Sequence, residues 1–263
     1  MNLLRTTTAA FIVSLGWLTL MTVSCSVNQT ENLVISVAAN LQPALEEMTP
    51  YIEKEIDASI AYNYGASGKL AQQIEQGAPV DVFLSANVSY IDELITIGRL
   101  KPDSKRIFAH GRLVLWAPTI DLPLETLADL QRPEIKSIAL ANPNHAPYGM
   151  AMKDALIAAG VWDSLTDKLI FGEDVSQCYH YAVTGNVDVA IIPFSFIASK
   201  ASGHWMEIPD SLYPPLEQTA AITTKTPNQA LAQRFIELLT SPKAQETLTS
   251  HGYILPPNEV AEP

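Results

Sequence analysis

The chain has 263 residues, 48% of them hydrophobic, and a formal net charge of −12. That length supports a sizeable core in one or two domains, and the acidic balance argues against nucleic acid and anionic lipid as partners. A small anion is not excluded, because neutral donors alone can hold one.

Residues 1–24 read as a targeting segment, with Arg5 as the positive start, an apolar run over 9–23 and small residues after it. A membrane span needs about 20 apolar residues. This run is shorter and broken by Thr and Ser, so a cleaved signal peptide is expected. Thr22-Val23-Ser24-Cys25 resembles a bacterial lipoprotein box, with Cys25 as the lipidated residue; Thr22 departs from the usual Leu or Val, and simple secretion is the alternative. A polar linker, 25–32, would follow. Cys178 is the other cysteine, so no disulfide framework or thiolate cluster is expected. It falls in a helical pattern with Val175, Tyr179 and Ala182 and reads as a small buried hydrophobe.

The first strand is expected over 33–38, apolar nearly throughout as buried parallel strands are. Asn40 follows at or near the start of a helix over 42–56, with Pro43 in its first turn. Asn40 reads either as a plain N-cap or as an amide donating to a ligand. A strand over 59–64 leads through Gly65-Ala66-Ser67-Gly68-Lys69 into a helix marked by Leu70 and Ile74. A strand over 80–84, a helix over 88–97 and a strand over 112–117 complete a strand–helix alternation, so a parallel α/β sheet is expected. A second α/β unit reads as a helix over 124–130, a strand over 137–141, the loop Asn142–Gly149, a helix over 150–159, a strand over 168–171, and Gly172-Glu173-Asp174 before a helix over 175–184. A strand over 187–192, a helical turn over 193–200, strands over 205–208 and 220–223, and helices over 228–239 and 242–251 close the chain.

Strand-to-helix turns of this kind present unsatisfied N–H groups at the positive end of a helix. Four of them are expected to converge on one small oxyanion. Enzyme motifs fail at defining positions. Lys69 stands where a nucleophile elbow requires its last Gly. Asn63 and Leu70 stand where a P-loop requires its first Gly and its Ser or Thr. The five His show no metal-ligand spacing, and Asp174 before a helix reads as a cap. The loops are rich in neutral donors and poor in titrating groups. An extracytoplasmic hydrolase or transferase using Ser67 would need a base, and no His or acid in these loops is placed as one. Lys69 reads as a solvated surface residue rather than as an anion guide.

From about 33 to 255 the chain resembles the periplasmic molybdate-binding protein (ModA) family of molybdate ABC transporters. The residues that carry the likeness are Val37-Ala38-Ala39-Asn40, Tyr64-Gly65-Ala66-Ser67-Gly68-Lys69-Leu70, Gly77-Ala78-Pro79-Val80-Asp81-Val82-Phe83-Leu84-Ser85-Ala86, Ala141-Asn142-Pro143, Ala146-Pro147-Tyr148-Gly149, Gly172-Glu173-Asp174-Val175 and Leu212-Tyr213-Pro214-Pro215-Leu216. The resemblance implies a two-lobed, hinged periplasmic-binding-protein fold of type II, each lobe a mainly parallel sheet flanked by helices. Lobe I would be 33–116 with 219–263, and lobe II 117–218. It implies capture of molybdate or tungstate by Asn40, Ser67 and the backbone N–H groups of Tyr148 and Val175, with no cofactor and no catalysis. The same fold tuned to sulfate or phosphate is the alternative. Some family members add a Tyr hydroxyl at the end of the strand that closes here with Ile192-Pro193. Neither residue carries one, so Asn40 would take that share. The implied partner is an ABC permease, and the protein is expected to be monomeric, in the periplasm or on the outer face of a membrane.

Overall fold

The fold of this computed structural model follows from short apolar strands alternating with amphipathic helices, and it describes residues 32–119, 123–199 and 202–257. The expected signal peptide 1–24, the Cys25 lipid site and the linker up to residue 31 lie outside the described residues.

In chain order the elements are β1 (Asn32–Ala38), α1 (Gln42–Ile56), β2 (Ser59–Gly65), α2 (Ser67–Glu75), β3 (Val82–Ser85), α3 (Val88–Thr96), β4 (Arg106–Gly111), β5 (Leu113–Ala117), β6 (Ile138–Ala141), α4 (Pro147–Ala158), α5 (Trp162–Leu165), β7 (Leu169–Gly172), α6 (Val175–Val183), β8 (Val189–Pro193), β9 (His204–Glu207), β10 (Leu216–Ile222), α7 (Gln229–Leu239) and α8 (Pro242–Ser250). They build two five-stranded sheets, ordered β2-β1-β3-β10-β4 and β7-β6-β8-β5-β9. Each sheet is parallel through three strands and antiparallel where the chain arrives from the other sheet. In the first, β1 runs parallel to β2 and β3, and β10 runs antiparallel to β3 and β4. In the second, β6 runs parallel to β7 and β8, and β5 runs antiparallel to β8 and β9. This is the two-lobed architecture of type II binding proteins.

The side-chain period of two splits the first lobe's core into two layers. Val82 and Leu84 pack with α1, α7 and α8 through Leu45, Ile52, Phe235 and Leu248. Phe83, one residue out of phase, faces Leu70 and Ile74 of α2 and Ile91 of α3. The second lobe buries β5, β6 and β8 with Tyr148, Met152 and Cys178. Four small residues of the first lobe, Ala38, Ala39, Ala66 and Ala86, belong to this second core. Their lack of bulk lets the helix starts of the two lobes meet closely.

The lobe boundaries differ from the expected ones. Leu113–Trp116, assigned above to lobe I, form β5 in the second sheet, so the chain crosses between Gly111 and Leu113 rather than near Ala117. Leu216–Gln218, assigned to lobe II, pair with β4 in the first sheet. Only His110-Gly111-Arg112 separates Ile107, Phe108 and Ala109 from Leu113–Ala117, and so short a polar break reads as an ordinary turn rather than as a change of sheet. β4 has no counterpart among the expected elements, where the strand over 112–117 stands alone. The helix expected over 124–130 is a 3₁₀ turn, Leu127–Gln131, closed by a capping box from Thr126 and Asp129. Among the described residues, no helix is long and apolar enough to cross a membrane.

Candidate functional site

Four junctions, together with Ala86 after β3, line one small cavity between the lobes. The first lobe contributes Ala38–Asn40 after β1, Gly65–Ser67 between β2 and α2, and Ala86 after β3. The second contributes Ala146–Tyr148 at the start of α4 and Asp174-Val175 at the start of α6. All four expected site residues, Asn40, Ser67, Tyr148 and Val175, are in this lining and all are buried. Among the described residues the lining holds no Lys, Arg or His.

The helix starts explain why such a lining suits an anion. Ala66 precedes α2 and Ala146 precedes α4, and neither side chain can cap. Apart from the Gly68 N–H, which the His145 carbonyl accepts, the first-turn N–H groups are therefore left to whatever occupies the cavity. The helix expected from 150 begins at Pro147, which carries no N–H, and this places the Tyr148 N–H in the first turn. At α6 the cap is Asp174, whose Oδ1 accepts from the Gln177 N–H at 3.0 Å, and Val175 follows as the first helical residue. Ser67 is fully buried, and its Oγ accepts the Ala86 N–H at 3.1 Å. Fixing the hydroxyl as an acceptor on that side leaves its hydrogen as a donor.

Asn40 differs from both sequence readings. It lies in a 3₁₀ turn, Ala39–Leu41, and caps no helix. Its side-chain amide is not free for a ligand either. Nδ2 donates to Gln218 Oε1 at 2.7 Å and to Tyr253 Oη at 3.0 Å. The assignment is fixed by Gln218, whose own Nε2 donates to the Leu216 carbonyl at 2.8 Å. The Asn40 carbonyl accepts from Tyr253 Oη at 2.7 Å and, from the other lobe, from Ser195 Oγ at 2.8 Å. The amide hydrogens thus brace the turn, and the backbone N–H is what remains for the cavity. Gln218, Tyr253 and Ser195 had no sequence mark, because a lone polar residue in a strand, turn or chain end reads as solvated.

The lobes also meet at the rim. The Gly68 N–H donates to the His145 carbonyl at 2.9 Å. Lys69 pairs with Glu173 of the other lobe, and His145 Nε2 stands 3.8 Å from the same carboxylate. Lys69 is half-exposed, so it is neither unpartnered in solvent nor inside the cavity. Burial, and then the Lys69 charge, hold the His145 imidazole below its ordinary pKa.

Cys178 is fully buried in α6, and burial pushes its thiol up to about 12. It is expected to resist thiol reagents at neutral pH in the native protein and to react once unfolded, as measured by thiol titration with and without denaturant.

The bacterial extracellular solute-binding protein family matches residues 33–254. The molybdate-binding protein ModA of Rhodobacter capsulatus is 31% identical over 222 residues, 84% of this chain and 88% of that one. A putative ABC transporter substrate-binding lipoprotein of Bacillus subtilis, YvgL, is 32% identical over 89% of this chain and 93% of its own length. The solved periplasmic molybdate-binding protein of Azotobacter vinelandii superposes with a TM-score of 0.81 at 30% identity, over 86% of this chain and 100% of that one. Two sheets joined at a hinge, a cavity built from helix starts of both lobes, and likeness along the whole described chain place this protein in the bacterial extracellular solute-binding protein family, among the ModA proteins.

Proposed function

We propose that this chain captures molybdate outside the cytoplasm and delivers it to the permease of an ABC transporter. The observation that carries the reading is the convergence of Asn40, Ser67, Tyr148 and Val175, two from each lobe, on one small cavity without a cationic side chain. The donors would be the backbone N–H groups of Asn40, Tyr148 and Val175 and the Ser67 hydroxyl. Helix starts supply the positive field in place of a counter-charge. A ligand bridging the lobes favours the closed state through contacts it makes only there.

Binding without catalysis fits the partner of Ser67, since its Oγ is engaged by the Ala86 N–H rather than by a base. Ile192 and Pro193 do not line the cavity, which leaves the ligand shell to the four junctions. Tungstate matches molybdate in charge and shape and nearly in size, and is proposed to bind comparably. Sulfate is smaller, and fixed backbone donors do not contract around it without strain.

A thermal-shift panel of oxyanions tests the reading. Ligand at about 100 times its Kd stabilises by about 2.7 kcal/mol, a rise of roughly 5–10 °C for a chain of this size. That rise is expected with molybdate and tungstate and not with sulfate or phosphate. The opposite pattern would assign the site to the smaller anions. The proposed lipid on Cys25 is checked by mass spectrometry of the mature N-terminus, and the proposed monomer by sedimentation.

A further inference from the structure

Behind the cavity the two crossings between the lobes run side by side, with Gly111 of β4 opposite Leu216 of β10. Tyr148 reaches this place from the second lobe. Its backbone is at the cavity, but its phenol is buried at the hinge, where the hydroxyl lies over the bare Cα of Gly111. A Cβ on Gly111 would overlap that hydroxyl outright, stand 2.9 Å from the ring Cζ and 3.1 Å from Gln218 Nε2. Gly111 is not among the glycines with positive φ, so this position needs a glycine for space and not for backbone conformation. The Tyr148 hydroxyl is buried beside the Asn40 side chain, without a hydrogen bond of ordinary geometry. Gln218, beside it, directs its Nε2 to Leu216 and its Oε1 to Asn40. Residues from both walls of the cavity are thus anchored at one point of the hinge.

We propose that Gly111 is a socket for the Tyr148 phenol, and that seating the ring there sets the end-point of lobe closure. Gly111 is then a positioning residue for the anion site. The phenol docks on the hinge while the N–H of the same residue faces the cavity, so the depth of the seat fixes how near that donor comes to Asn40 and Ser67. This inference rests on the molybdate reading for its ligand, but not for its geometry.

The test uses the full mature chain, with calorimetric titration of molybdate and a distance-reporting label pair placed on the two lobes. Gly111→Ala is expected to weaken binding by about tenfold or more and to hold the lobes further apart in the liganded state, since overpacking at a dense contact forces displacement. Adding Tyr148→Phe removes the overlapping oxygen and leaves the ring Cζ as the nearest ring atom, so the double variant is expected to regain at least about threefold of that loss. Tyr148→Leu in the native background empties the socket without adding bulk, and is expected to speed ligand release about tenfold while the protein still melts cooperatively. Losses that simply add in the double variant would overturn the socket. If Gly111→Ala does not fold, Tyr148→Leu decides alone: unchanged release and unchanged lobe distance would overturn it. Failure of the native protein to bind molybdate would instead refute the functional reading. The lobe distances of the variants would then be compared with whichever oxyanion raises the native melting temperature.

Discussion

Ser67→Ala is expected to weaken molybdate binding by about 10- to 100-fold. The side chain is fully buried and its Oγ accepts the Ala86 N–H, so its hydrogen is the part available to an anion. A hydrogen bond to a charged group contributes about 1.5–3 kcal/mol, and each 1.4 kcal/mol is tenfold in affinity. The substitution also leaves the Ala86 N–H without its acceptor, which costs about 1–3 kcal/mol of stability. Calorimetric titration and the melting temperature of the unliganded protein separate the two effects. Affinity within twofold of the native value would mean that the hydroxyl does not touch the ligand.

Gly68→Ala is expected to cost more, about 100-fold or beyond, through geometry and not through a lost donor. A Cβ there would stand 2.7 Å from the His145 carbonyl oxygen and 2.7 Å from Tyr90 Oη. Tyr90 is a side chain of the same lobe and can move. The His145 carbonyl is backbone of the opposite lobe, and it accepts the Gly68 N–H at 2.9 Å. Only separation of the lobes relieves that clash, and separation removes the ligand contacts of one whole side. The unliganded melting temperature should stay near native, because an open molecule accommodates the methyl group. Small-angle scattering should show compaction with molybdate in the native protein and none in the variant. Compaction in both would show that the rim contact does not control closure.

The rim ion pair offers a contrast. Lys69 and Glu173 are each about half exposed, and pairs of that kind are worth roughly 0–1 kcal/mol. Lys69→Ala should therefore change affinity by less than about fivefold, as read in the same titration. A much larger loss would mean that this cation contributes to holding the anion, against the neutral-donor account.

The cavity was legible in the sequence at the level of its junctions. Small residues and glycines between an apolar strand and an amphipathic helix mark places where N–H groups are left without partners, and three of the four junctions have that form. The α4 start lies earlier than the helix expected from 150, because Pro147 within the expected loop occupies the first helical position. The role of Asn40 was not legible. Its side chain is bound by Gln218 and Tyr253, far along the chain, and local pattern carries no trace of such pairings. The lobe crossings were misplaced for a related reason. Phe108 and Ala109 on one side of the crossing and Leu113–Ala117 on the other are buried, and His110-Gly111-Arg112 between them has the local look of any polar turn, so the sequence does not show that the chain changes sheets there. Once the crossing is known, Gly111 is the visible sign of it.

A crystal of the protein grown with molybdate, with data collected at the molybdenum absorption edge, tests the core of this account most directly. The anomalous peak is expected in the inter-lobe cavity, within hydrogen-bond reach of Ser67 Oγ and of the backbone nitrogens of Asn40, Tyr148 and Val175. A peak elsewhere, or an ion held chiefly by Lys or Arg side chains, would contradict it.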